Sequence, residues 1–134
     1  FTLAEDSGLV VDELGGAPGI YSARFSVPNA SDERNIEKVL SLLKNTPFEK
    51  RTARFVCSMV LASQERVLTE ITEKVEGYIT FEQKGRWGFG YDPIFYYPPL
   101  DKTLAELEPE VKNKVSHRGR ALTKLREFLK NYLK

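Results

Sequence analysis

A single cysteine, Cys57, is all this sequence holds. It excludes an intrachain disulfide and any all-cysteine metal site, and it fits a reducing cytoplasm. No His/Cys cluster, Walker loop or dinucleotide fingerprint is present. No apolar run approaches the ~20 residues of a membrane span, and no basic-then-apolar start marks a secretory signal. A net charge of +1 supplies no global field to draw nucleic acid or a membrane surface. Repeats, low-complexity tracts and linkers are also missing.

What is there is an ordinary globular composition, 41% hydrophobic and 29% charged, over a length of 134 residues that fits one domain. The most informative stretch is Ala4-Glu5-Asp6-Ser7-Gly8-Leu9. Its carboxylates interrupt an apolar run, which is costly if they are buried without partners. The stretch therefore reads as a strand end facing a cleft. Two acids, a hydroxyl and a glycine there suit a divalent metal and a phosphate. An exposed turn explains the same residues.

Leu14 to Gly19 is a turn-forming loop, and Ile20 to Phe25 a short helical turn or extended piece carrying Arg24. A helix is predicted from Asn29 to Asn45, with Asn29 or Ser31 as N-cap and an apolar stripe of Ile36, Val39, Leu40 and Leu43. It covers a sheet and carries no evident chemistry. Thr52 to Ser63 is apolar on both faces and reads as a central strand covered on both sides, with Cys57 in the core. Val67 to Phe81 alternates, so one face meets solvent, and Gly77 marks a bulge or bend. The two β stretches form an antiparallel hairpin.

Lys84 to Pro93 interleaves glycines with Trp87, Phe89 and Tyr91 and closes on Asp92. Unusual backbone angles beside aromatic faces suit a nucleobase pocket; a packed structural corner is the alternative. A short strand, Ile94-Phe95-Tyr96, follows and stops at Tyr97-Pro98-Pro99. A polar helix from Pro109 carries Lys112 and Lys114, a pair that reads as a solvated face. Ser116 caps the last helix, whose stripe is Ala121, Leu122, Leu125, Phe128, Leu129 and Tyr132. His117 and Arg118 stand in its first turn, where positive charge opposes the macrodipole. Service to a ligand explains that placement, and so does a loose first turn at Gly119.

Three stretches in this order, Ala4–Phe25, Gly88–Phe95 and Ser116–Leu122, make the chain closely resemble the inosine triphosphate pyrophosphatase family. The resemblance covers essentially the whole chain. It implies an α/β fold with an elongated mixed β-sheet, flanking helices and two lobes around a substrate cleft. It also implies a Mg²⁺-dependent hydrolase that splits ITP, dITP and XTP into monophosphate and pyrophosphate, working as a cytoplasmic homodimer without nucleic-acid or membrane partners. Matched position by position, Asp6 is the proton acceptor and metal ligand, and Ser7 a substrate contact. Phe89, Gly90, Tyr91 and Asp92 are the base-side loop. Lys112 is the substrate lysine, which Lys114 is not, and His117 and Arg118 are the closing substrate pair. On this reading Glu5 is only a neighbour of Asp6. Lys112 neutralises phosphate, Phe89 stacks on the purine, and His117 and Arg118 donate to a 6-oxo group.

Two features depart from the family. Its opening strand, Thr/Ser-Gly-Asn-x-x-Lys phosphate loop and further acidic ligand have no counterpart here. Residues 1–134 are thus expected to be a single ITPase-like domain lacking the N-terminal portion. Arg86-Trp87 also replaces smaller residues before Gly88. Three readings compete with the enzyme: a nucleotide-binding module without catalysis, a related-fold pyrophosphatase for other modified nucleotides, and an interaction protein with purely structural polar residues.

Overall fold

The computed structural model describes residues 1–133. Alternating apolar residues build the long strands β1 (Thr2–Val11), β2 (Thr52–Ala62) and β3 (Val67–Ile79); β4 (Phe95–Tyr97) and β5 (Lys102–Thr103) are short. They form one sheet in the order β1-β2-β3-β4-β5. The expected mixed sheet is corrected, because every pairing among the described residues is antiparallel. The short connections β2–β3 and β4–β5 favour this, since parallel neighbours need a long crossover.

The acidic stretch is neither a turn nor a strand end. β1 runs straight through it, with Glu5 opposite Met59, Asp6 opposite Ser58, Ser7 opposite Cys57 and Gly8 opposite Val56. Among the described residues β1 is an edge strand, and Glu5, Asp6 and Ser7 are exposed, so the acids incur little desolvation here.

In β2, Ala53, Phe55, Cys57, Met59 and Leu61 are buried, while Val56, Val60 and Ala62 are only half-buried. One face is thus fully covered, not two. Gly77 keeps regular register opposite Ala53, and the irregularity falls at Leu61/Ala62 instead. A side chain at Gly77 would collide with the Tyr96 carbonyl and the Phe95 ring. The glycine therefore admits β4.

Helix α1 (Asp32–Leu42) is shorter than its periodicity suggested; Ser31 is its cap, its Oγ accepting from the Arg34 N–H at 3.2 Å. α2 (Pro109–Val115) and α3 (His117–Tyr132) meet at Ser116, whose Oγ accepts from the Gly119 N–H at 3.0 Å. The larger core cluster joins Leu9, Phe55, Val75, Ile79 and Phe95 to Ile36 and Val39 of α1. A second gathers Cys57, Met59 and Ile71 beneath Ala121 and Leu125 of α3. Each fully buried aliphatic side chain contributes about 1.5–3 kcal/mol.

Arg51 is a buried cation with no carboxylate partner among the described residues. It donates to the Thr46, Thr80 and Leu43 carbonyls at 2.9, 2.8 and 2.6 Å, and its guanidinium lies 4.0 Å from the Phe81 ring centroid. It closes the chain just beyond α1, where a cation complements the carbonyl end of the helix.

Candidate active site

Strand alternation divides the acidic stretch between two clefts. Ser7 and Glu5 face the side on which α3 packs. The Ser7 Oγ lies 2.5 Å from His117 Nε2, and the Glu5 carboxylate accepts from Arg118 Nε at 2.7 Å. Asp6 faces the opposite side, into a cleft of about 200 Å³ with Gly8, Gly19, Ile20, Val56 and Ser58. Ser7 lines both clefts.

The second cleft, also about 200 Å³, is lined by Ser7, Leu9, Ser22, Asp32, Asn35, Phe55, Phe89 to Asp92, Lys112 and His117. Its volume is below the roughly 300–1,000 Å³ of pockets that enclose whole drug-sized ligands. It suits one part of an extended ligand.

Local geometry explains how Phe89 to Asp92 are held. Gly88 has φ +82°, and a side chain there would strike the Asp92 carboxylate. Asp92 is buried; it accepts from the Phe89 N–H at 3.1 Å and from Lys112. Burial lifts its carboxyl above the usual range, while Lys112 and the Phe89 N–H oppose that shift. The Lys112 ammonium also lies 4.3 Å from the Phe89 ring centroid. Lys112 therefore lines the Phe89 cleft and is not among the residues of the Asp6 cleft. Phe89 is 72% exposed and presents a free aromatic face.

His117 stacks on Phe55, with ring centroids 4.9 Å apart and planes at 14°. Burial, reinforced by the Lys112 charge, pushes its pKa down to about 4. At neutral pH it is an uncharged imidazole, so it does not oppose the α3 dipole. Its Nδ1 is buried without a hydrogen-bond partner among the described residues. Arg118, the next residue, is exposed, is held by Glu5 and lines neither cleft. Trp87 lies elsewhere, in a cleft with Leu100, Leu107 and Val111, and Arg24 lines another with Tyr21 and Phe25.

α1 was expected to carry no chemistry, but its first turns wall the site. Asp32 accepts from the Gly90 N–H at 3.0 Å. Asn35 is 2% exposed and fully bonded; it accepts from Ser26 N and Oγ and donates to the Ser22 and Ala23 carbonyls. The Tyr91 hydroxyl donates to the same Ser22 carbonyl at 2.6 Å, and Ser22 Oγ accepts from the Leu9 N–H. One signal for Asn35 was in the sequence: an amide four residues before Val39, on the apolar stripe.

Among the described residues no three His, Cys, Asp or Glu side chains gather as a metal cage. Asp6 is the one carboxylate lining its cleft. That donor set fits Mg²⁺, which is commonly held by one or two carboxylates together with substrate phosphates.

The Ham1 family model matches residues 1–128. The chain is 54% identical over 127 residues to a dITP/XTP pyrophosphatase of Halalkalibacterium halodurans, covering 95% of this chain and 66% of that protein. It is 50% identical over 127 residues to the dITP/XTP pyrophosphatase of Bacillus subtilis, covering 95% and 64%. The Staphylococcus aureus Ham1 protein superposes with a TM-score of 0.91 at 47% identity over 97% of this chain and 67% of that one. The chain thus spans about two thirds of the length of these relatives. With motif order, strand topology and sequence in agreement, this chain belongs to the Ham1 family.

Proposed function

We propose that the chain belongs to an enzyme that hydrolyses non-canonical purine nucleoside triphosphates (ITP, dITP and XTP) to the monophosphate and pyrophosphate. The observation that carries this reading is the convergence of Phe89 to Asp92, Lys112, His117 and Ser7 on one cleft, with Asp6 on the neighbouring cleft across Ser7. The names of the relatives from Halalkalibacterium halodurans and Bacillus subtilis support it.

The two clefts divide the work. Phe89 stacks on the purine, and the Arg118 guanidinium donates to a 6-oxo acceptor, with the neutral His117 held beside it by Ser7. A 6-amino group would turn its own donors toward the donor-only guanidinium, a mismatch that can discriminate by about 10⁴–10⁵. Lys112 fixes the loop through Asp92 and adds positive charge beside the base. Ser7 spans the junction towards the phosphates. Asp6 takes the proton of the attacking water. Asp6 would also hold Mg²⁺ together with the substrate's phosphates; when bound, the ion spreads the charge that develops in phosphoryl transfer. The homodimer, the two-lobed cleft and cytoplasmic location belong to the same proposal. No helix among the described residues is long and apolar enough to cross a membrane.

Product analysis tests the reading. ITP with Mg²⁺ should yield IMP and pyrophosphate in equal amounts. Release of IDP and phosphate, or binding of IMP without turnover of ITP, would contradict it.

A further inference from the structure

Glu5 and Asp6 are neighbours in sequence, but the pleat sends them to opposite faces of β1. Asp6 lines the cleft proposed for metal and phosphate, and Glu5 does not. Glu5 instead reaches the first turn of α3. Its carboxylate takes Arg118 Nε at 2.7 Å, one rung along from the Ser7–His117 contact. Residues two apart on the strand thus engage consecutive residues of the helix.

Two features make this more than a surface ion pair. First, Arg118 sits where the helix dipole disfavours a cation, so a fixed carboxylate there offsets an unfavourable field. Second, the pair uses Nε alone. Among the described residues the two terminal guanidinium nitrogens have no hydrogen-bond partner, and together they are the fork that grips an oxo or anionic acceptor. An arginine 53% exposed would otherwise sample many rotamers.

We infer that Glu5 is a positioning residue: it holds Arg118 by Nε next to His117, which lines the base cleft, so that both terminal nitrogens are left for the substrate, and it takes no part in binding the metal. The inference rests on the pyrophosphatase reading for its substrate, but the Glu5–Arg118 tie itself does not.

The test uses steady-state kinetics of the intact protein with ITP, varying Mg²⁺, for wild type, Glu5→Gln, Glu5→Ala, Arg118→Ala and the Glu5→Ala/Arg118→Ala double variant. Thermal unfolding checks that each is folded. Glu5→Ala should raise KM for ITP about tenfold, the scale of one charge-assisted hydrogen bond. Glu5→Gln, whose amide oxygen still accepts from Nε, should recover most of that. Mg²⁺ half-saturation should stay unchanged, and Glu5→Ala should add nothing in the Arg118→Ala background. A weakened Mg²⁺ dependence, or an undiminished Glu5 effect without Arg118, would overturn the inference. The exchange rate of the Arg118 Nε proton, read by NMR in the ligand-free protein, is independent of turnover. It should rise in Glu5→Ala, and no change would also overturn the inference. Failure of wild type to hydrolyse ITP while the NMR result holds would sink the pyrophosphatase reading alone.

Discussion

Asp92 and Lys112 form an ion pair of which only 5% and 14% of the side chains is exposed, and it is this pair that anchors the Phe89 loop to α2. The carboxylate binds the loop's own backbone through the Phe89 N–H, and the ammonium lies against the Phe89 ring. One contact therefore sets the loop backbone, the aromatic face and the charge of the cleft.

Removing half of that pair should be worse than removing both. Asp92→Asn leaves a largely buried ammonium without its counter-charge, a loss of about 3–5 kcal/mol. Asp92→Leu with Lys112→Met, which replaces both by apolar groups, should recover most of that stability while leaving nucleotide binding abolished. Urea unfolding and IMP calorimetry on the variants measure the two effects.

Phe89 predicts the opposite separation. Its ring is exposed and supports little of the core, so Phe89→Ala should change stability by no more than about 0.5 kcal/mol. Base–aromatic stacking is worth about 1–3 kcal/mol, so KM for ITP should rise roughly 5- to 150-fold. Unfolding midpoints beside KM values decide this.

His117 gives the fold a pH dependence. Its pKa falls from 6.5 to about 4 on folding, chiefly through burial. Between those values the unfolded chain carries a proton that the folded chain does not. Stability should therefore fall as pH drops through this window, by about 3 kcal/mol in all, with no further loss from this group below about pH 4. Urea midpoints from pH 7 to 4 should show a steeper decline for wild type than for His117→Gln.

Much of this was legible in the residues. The three motifs named the family, apolar periodicity located α1 and α3, an apolar run located β2, and alternation located β3. The resemblance set Asp6 apart from Glu5, but the strand they share was not legible. A carboxylate pair looks alike in sequence whether it bends the chain or lies flat in a strand, and only pairing with β2 shows that Asp6 and Glu5 face opposite ways. Lys112 looked solvated because its partner, Asp92, lies twenty residues away. Asn35 and Asp32 were missed because their partners are loop groups brought near only by folding. Arg51 escaped for the same reason: backbone carbonyls leave no trace in sequence.

The division between the Asp6 cleft and the Phe89 cleft is tested most directly by pyrophosphate release from ITP, dITP and XTP against ATP and GTP, with Mg²⁺, by wild type and Asp6→Asn. The account predicts rapid release from the first three, far slower release from ATP, and turnover by Asp6→Asn reduced at least a hundredfold while IMP binding is retained. Equal turnover of ITP and ATP, or an Asp6→Asn protein as active as wild type, would contradict it.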